Sequence, residues 1–108
     1  MTHSVYLTDE AARDLEDLHD YISRNDAPEK ATYVLDRIEE AFTSLAQNPT
    51  RRVYPRELIE LGIKEYRQVF FKPFRIIYTI KEKTVYVVLI TAGRRDMQAL
   101  LQRRILEA

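Results

Sequence analysis

The side chains in this sequence with chemistry to offer are cationic. Lys64, Arg67, Arg75, Arg94 and Arg95, joined by Arg103 and Arg104, all fall in its second half. Arginine suits bidentate contact with carboxylate or phosphate. Glu65 stands two residues from Arg67 on an alternating stretch, shares its face, and is the candidate general base. Acid–base chemistry requires such a base, an acid to protonate the leaving group and cations around the negative charge that develops. The acid is the weak member. After the last apolar run the chain reads Thr91-Ala92-Gly93-Arg94-Arg95, with neither tyrosine nor histidine. Tyr66, Tyr78 and Tyr86 read instead as sheet residues with an apolar ring and a polar tip. Glu65 and Arg67 are as readily a surface ion pair. Arg94-Arg95 and Arg103-Arg104, around an apolar stripe, suit a protein or protein–DNA partner, or simply a solvated helix face.

Metal chemistry has little to work with. The chain has no cysteine and two histidines, His3 and His19. Disulfides, thiolate sites and histidine-rich sites are excluded, and a reducing cytoplasm is compatible. No metal and no cofactor is expected. His19 flanks an apolar stripe with no identifiable acid–base partner and reads as a boundary residue. No apolar run approaches the roughly 20 residues of a membrane span, and the start has no signal-peptide pattern.

At 108 residues the chain is read as a single domain, 1–108, with 45% hydrophobic and 31% charged residues. Its net charge of zero hides a division. Residues 1–48 carry 4 basic and 11 acidic side chains, net −7, and residues 49–108 carry 13 and 6, net +7. Such asymmetry points to a charged partner for one half, or to halves that complement each other.

Three runs position the cations. Ile63 to Phe71, Phe74 to Lys81 and Thr84 to Thr91 are rich in Val, Ile, Tyr and Phe and separated by two-residue breaks, Lys72-Pro73 and Glu82-Lys83. That is the pattern of an antiparallel β-meander. Two-residue loops set Phe71 against Phe74, Val69 against Ile76, Ile80 against Val85 and Tyr78 against Val87. One face then collects Val69, Phe71, Phe74, Ile76, Tyr78, Ile80, Val85, Val87 and Leu89. The other mixes Tyr66, Phe70, Ile77, Tyr86, Val88 and Ile90 with Lys64, Gln68, Arg75 and Thr79. Upstream, Thr2 to Thr8 alternates and reads as a further strand. A helix follows, capped by Thr8 or Asp9, with the stripe Ala11, Leu15, Leu18, Ile22. A second, with Asp26 as cap and Pro28 in its first turn, runs to about Gln47 on the stripe Ala31, Val34, Leu35, Ile38, Ala41, Phe42, Leu45. The two form an αα-hairpin that buries its stripes on the apolar sheet face. Arg56 to Leu61, closed by Gly62, reads as a helical turn or two. Met97, Leu100, Leu101 and Ile105 mark a short terminal helix placed to cap part of the mixed face. The fold class is α+β.

This order resembles the RelE/ParE superfamily of bacterial type II toxins over essentially the whole chain. The resemblance is carried by Leu15 to Tyr21, Ala31-Thr32-Tyr33 and Pro49. Stronger still are Glu57-Leu58 with Gly62 to Arg67, Phe74 to Tyr78, and Gly93-Arg94-Arg95-Asp96 ahead of Leu100 and Arg103. It implies a toxin neutralised by an antitoxin encoded alongside, with growth arrest as its effect and plasmid stabilisation as a known use. Two activities are implied. The ParE-like branch inhibits DNA gyrase by binding. The RelE-like branch cleaves messenger RNA on the ribosome without a metal, and its residues here would be Glu65, Arg67 and Arg75. Many relatives place a histidine where this chain has Ala92, a departure that favours the ParE-like branch. On that branch Arg94, Arg95, Arg103 and Arg104 are expected to meet the target. Arg67, Arg75, Arg94 and Arg95 are expected to meet an acidic tail of a ParD-like antitoxin, which would fold on binding. DNA is met indirectly, through antitoxin or gyrase, and the assembly is a homodimer or a heterotetramer with antitoxin. A dimer that only co-represses its own operon is the third reading. The expected location is the cytoplasm.

Overall fold

The computed structural model describes residues 2–92 and 96–106. Strand β1 (Ser4–Leu7) leads into helix α1 (Asp9–Asn25), α2 (Pro28–Thr43) and, after two single 3-10 turns, the short α3 (Arg56–Ile59). Strands β2 (Tyr66–Phe71), β3 (Phe74–Lys81) and β4 (Thr84–Ala92) follow, and α4 (Met97–Leu101) continues as a π turn over Gln102–Leu106. The sheet order is β1-β4-β3-β2. The meander is antiparallel with two-residue turns, and all four anticipated cross-strand pairs are present. Joined through the helical hairpin, β1 enters beside β4 in parallel.

Local chemistry explains the element ends. The Thr8 hydroxyl accepts from the Ala11 amide at 3.1 Å and caps α1. Gly62, at φ +77°, closes α3 with the bond pair of a Schellman turn: its amide reaches Ile59 and that of Ile63 reaches Leu58. The Asp96 carboxylate caps α4 through the Ala99 amide. Two expectations are corrected. Asp26 does not cap α2; it ends α1 and binds Lys30 at 2.6 Å, leaving Ala27 at the cap position. Helix α2 stops at Thr43 and tightens to a 3-10 turn through Ser44–Ala46, so that Leu45 turns fully inward.

A third correction matters more. The β3–β4 register shifts at a bulge: Tyr78 faces Val87 but Ile77 faces Leu89, leaving Val88 extra. Strict alternation puts Leu89 on the helix-covered face and Ile90 on the other. The bulge exchanges them. Ile90 packs with Ile38, Ile76, Tyr78, Val85 and Val87 under α1 and α2, while Leu89 joins Ile77, Leu58, Met97 and Leu101 beneath α3 and α4. The sheet therefore has a core on each face. Each fully buried aliphatic side chain contributes about 2 kcal/mol.

Candidate functional site

The cations proposed to act together are divided by the sheet. Arg67 shares a face with Val69 and Phe71, towards the α1–α2 side, and Arg75, adjacent to Ile76, points to the opposite face. Arg67 sits on the edge strand, where Val53 bridges Gln68. Its guanidinium donates to the Arg52 carbonyl at 3.0 Å and the Tyr54 hydroxyl at 2.9 Å, and stacks 4.4 Å from the Tyr54 ring centroid. Glu65 lies just before β2, exposed, and shares with Lys64, Tyr66, Arg67 and Lys81 a hollow of about 460 Å³. Glu65 and Arg67 thus line one hollow, and Arg75 is elsewhere.

Arg75 is the best-held cation of the sheet. Only 9% exposed, it makes a two-pronged pair with Glu57, both bonds 2.9 Å, and donates twice more to the Gln68 amide oxygen at 2.9 and 2.6 Å. The guanidinium bonds hold the Glu57 carboxyl below the usual carboxylate range, against the opposing effect of partial burial. Beside it Phe70 stands 51% exposed, its centroid 5.9 Å from the guanidinium. Arg56 and Lys72 complete the rim of a groove of about 510 Å³. This is a cationic, aromatic surface with its central arginine already neutralised.

The three tyrosines of the meander differ in burial and contacts. Tyr78 is wholly buried and donates to the Pro49 carbonyl, and burial pushes its phenol up to about 12. Tyr66 is raised by burial and then by nearby Glu65. Tyr86 stacks on Tyr6 at 6.3 Å. All three stand on sheet strands, and Tyr66 also lines the hollow that holds Glu65 and Arg67.

At the C-terminus the two arginines part company. Arg103 is exposed. Arg104 turns inward, with a bidentate grip on Asp14 of 2.9 and 3.1 Å, a contact to Glu10 at 3.4 Å and a bond to the Val88 carbonyl at 2.8 Å. The bonds it donates to Asp14 raise its pKa above the usual arginine value. Arg94 and Arg95 lie outside the described residues. Sequence reasoning missed Glu57, Gln68 and Asp14, the partners that engage the arginines. Glu57 stood in a quoted motif. Nothing along the chain ties Asp14 to a residue 90 positions away.

The family model of the ParE toxin of the type II toxin-antitoxin system parDE matches residues 5–97. The chain belongs to the ParE toxin family. Among solved structures this ParE-family chain is similar to one of the chromosomal ParDE system of P. aeruginosa, with a TM-score of 0.73 and 22% identity, over 84% of this chain and 96% of that one. It is similar also to a chain of the RelBE2 toxin-antitoxin complex of Mycobacterium tuberculosis, at 0.57 and 24% over 85% and 92%. A free mutant of the E. coli toxin RelE gives 0.64 and 9% over 99% and 97%. At these identities the structural likenesses establish the fold. A comparison with curated proteins finds no match. Among the described residues, no helix of this ParE-family chain is long and apolar enough to cross a membrane, and no group of His, Cys, Asp and Glu side chains could hold a metal ion.

Proposed function

We propose that this ParE-family toxin acts by binding DNA gyrase, with no chemistry of its own, and that a cognate ParD-like antitoxin neutralises it. The observation that carries this reading is the separation of Arg67 from Arg75. A phosphoryl-transfer site needs its cations converging on one phosphate with a base in reach. Here the two arginines lie on opposite faces, each spent on neighbours, and Glu65 accompanies only the first. Family membership points the same way. Target contact falls to Arg94, Arg95 and Arg103, while Arg104, gripped by Asp14, contributes by fixing the helix that carries Arg103. The acidic tail of the antitoxin passes over the β2 edge of the sheet, meeting Arg67 on one face and Arg75 on the other on its way to Arg94 and Arg95, which suits the +7 of residues 49–108.

The test is supercoiling by purified gyrase with and without the toxin, cleaved DNA being scored on the same gel. Inhibition that antitoxin relieves is expected. An Arg103→Glu chain that stays folded should inhibit about tenfold less well while keeping its antitoxin affinity. Untouched gyrase would overturn the reading and direct attention to messenger RNA, with Glu65, Arg67 and Arg75 the first residues to replace. Charge reversal at Arg67 is expected to weaken antitoxin binding, and unchanged affinity would remove that surface from the proposal.

A further inference from the structure

Strand β1 pairs with β4 from Thr84 to Val87 and there ends, so among the described residues β4 continues to Ala92 with no strand on that side. Two side chains stand where the missing strand would run. The Ile90 amide donates to the Asp14 carboxylate at 3.0 Å, and the Val88 carbonyl accepts from Arg104 at 2.8 Å. These two bonds reproduce, with side chains, the donor and acceptor that a neighbouring strand would offer. Since the N–H and C=O of one residue point the same way, the Ile90 carbonyl and the Ala92 amide face the same open side. That side forms the floor of a groove of about 470 Å³ between α1 and α4, walled by Leu18, Tyr21 and Leu100 and by Asp17 beyond Asp14.

We propose that the edge Val88–Ala92 is a strand-addition site for an extended partner segment that carries an arginine or lysine, and that Arg104 occupies it in cis. The charge requirement comes from α1. Glu10, Asp14 and Asp17 lie at spacings of four and three on one helix face, and a single guanidinium meets the first two of them. A segment that lifts Arg104 away must bring a cation of its own, because a half-buried carboxylate left without one is strongly unfavourable. The segment gains ladder bonds along Ile90 to Ala92 that Arg104 does not make. This surface is opposite in charge to the one assigned to the antitoxin tail, and peptide binding to it is read without gyrase.

The probe is a labelled, acetylated peptide alternating threonine and valine around a central arginine, titrated by anisotropy against the full chain. Arg104→Ala empties the site and is expected to bind this peptide about tenfold more tightly than the unaltered chain, which competes for it in cis. A peptide with glutamate at the centre should not bind, and Asp14→Asn added to Arg104→Ala should abolish the gain. Failure of a folded Arg104→Ala chain to bind, or equal binding of both peptides, overturns the proposal. Self-association of Arg104→Ala that the arginine peptide does not compete also overturns it, by giving the edge to a second copy. Should that variant not fold, hydrogen exchange at the Ala92 amide of the unaltered chain decides: protection by excess arginine peptide supports the site, and unchanged exchange refutes it.

Discussion

Arg75 illustrates how one side chain serves folding at the place where chemistry was expected. Its guanidinium has four bonds to Glu57 and Gln68 and is almost sealed from water. Removing it strands a partly buried carboxylate, so Arg75→Ala should cost about 3 kcal/mol in denaturant unfolding. Because Glu57 is held below its ordinary 4.5, its contribution is complete above that value and drains away as pH falls through it to the lower folded value. An acid titration of stability should show this loss, and Glu57→Gln should abolish it. Tyr78 has the opposite dependence. Folded it resists ionisation to about 12, against 10.0 unfolded, so stability is full below pH 10 and falls as pH rises from there to 12. Tyr78→Phe should flatten that alkaline slope, Tyr66 contributing a smaller remainder. It should also cost about 1 to 3 kcal/mol at neutral pH by leaving the Pro49 carbonyl unpaired.

Among the elements, the turn after α3 isolates a backbone effect. A methyl group built on Gly62 meets nothing within 4 Å, yet the residue sits at φ +77°. Gly62→Ala should therefore cost about 1 kcal/mol from backbone strain alone, read as a shift in the unfolding midpoint with an unchanged slope. The cap hydroxyl of Thr8 should be worth a similar amount: Thr8→Ala, about 1 kcal/mol. The bulge at Val88 is the element that shapes the site. It turns Leu89 under α4 and Ile90 under α1, and it places the Val88 carbonyl where Arg104 finds it.

For the whole molecule, the division of charge is the governing feature. The acidic helices α1 and α2 lie in a half of the chain with net charge −7, and the strands and flanking segments that carry most of the cations lie in a half with +7, so the second half suits an acidic partner. If the basic side takes an acidic antitoxin tail, association should slow steeply as salt rises past about 0.1 M, where the screening length is roughly 10 Å. Stopped-flow association rates across a salt series test this, and a flat profile would leave the asymmetry an internal matter between the two layers.

The sequence by itself determined the elements and most of their pairing. Alternation, helical stripes, Thr8, Gly62 and the two-residue turns are local signals, and hydrophobic period is enough to set four cross-strand pairs and the hairpin that covers them. It also named the cations. Only the tertiary structure decided which of those among the described residues are already engaged. Arg75 meets Glu57 across 18 positions and Arg104 meets Asp14 across 90, and such pairings depend on where layers stack. The bulge was equally hidden, since one extra residue in a run of Val, Leu and Ile leaves composition and apolar character unchanged while exchanging the faces on which Leu89 and Ile90 lie.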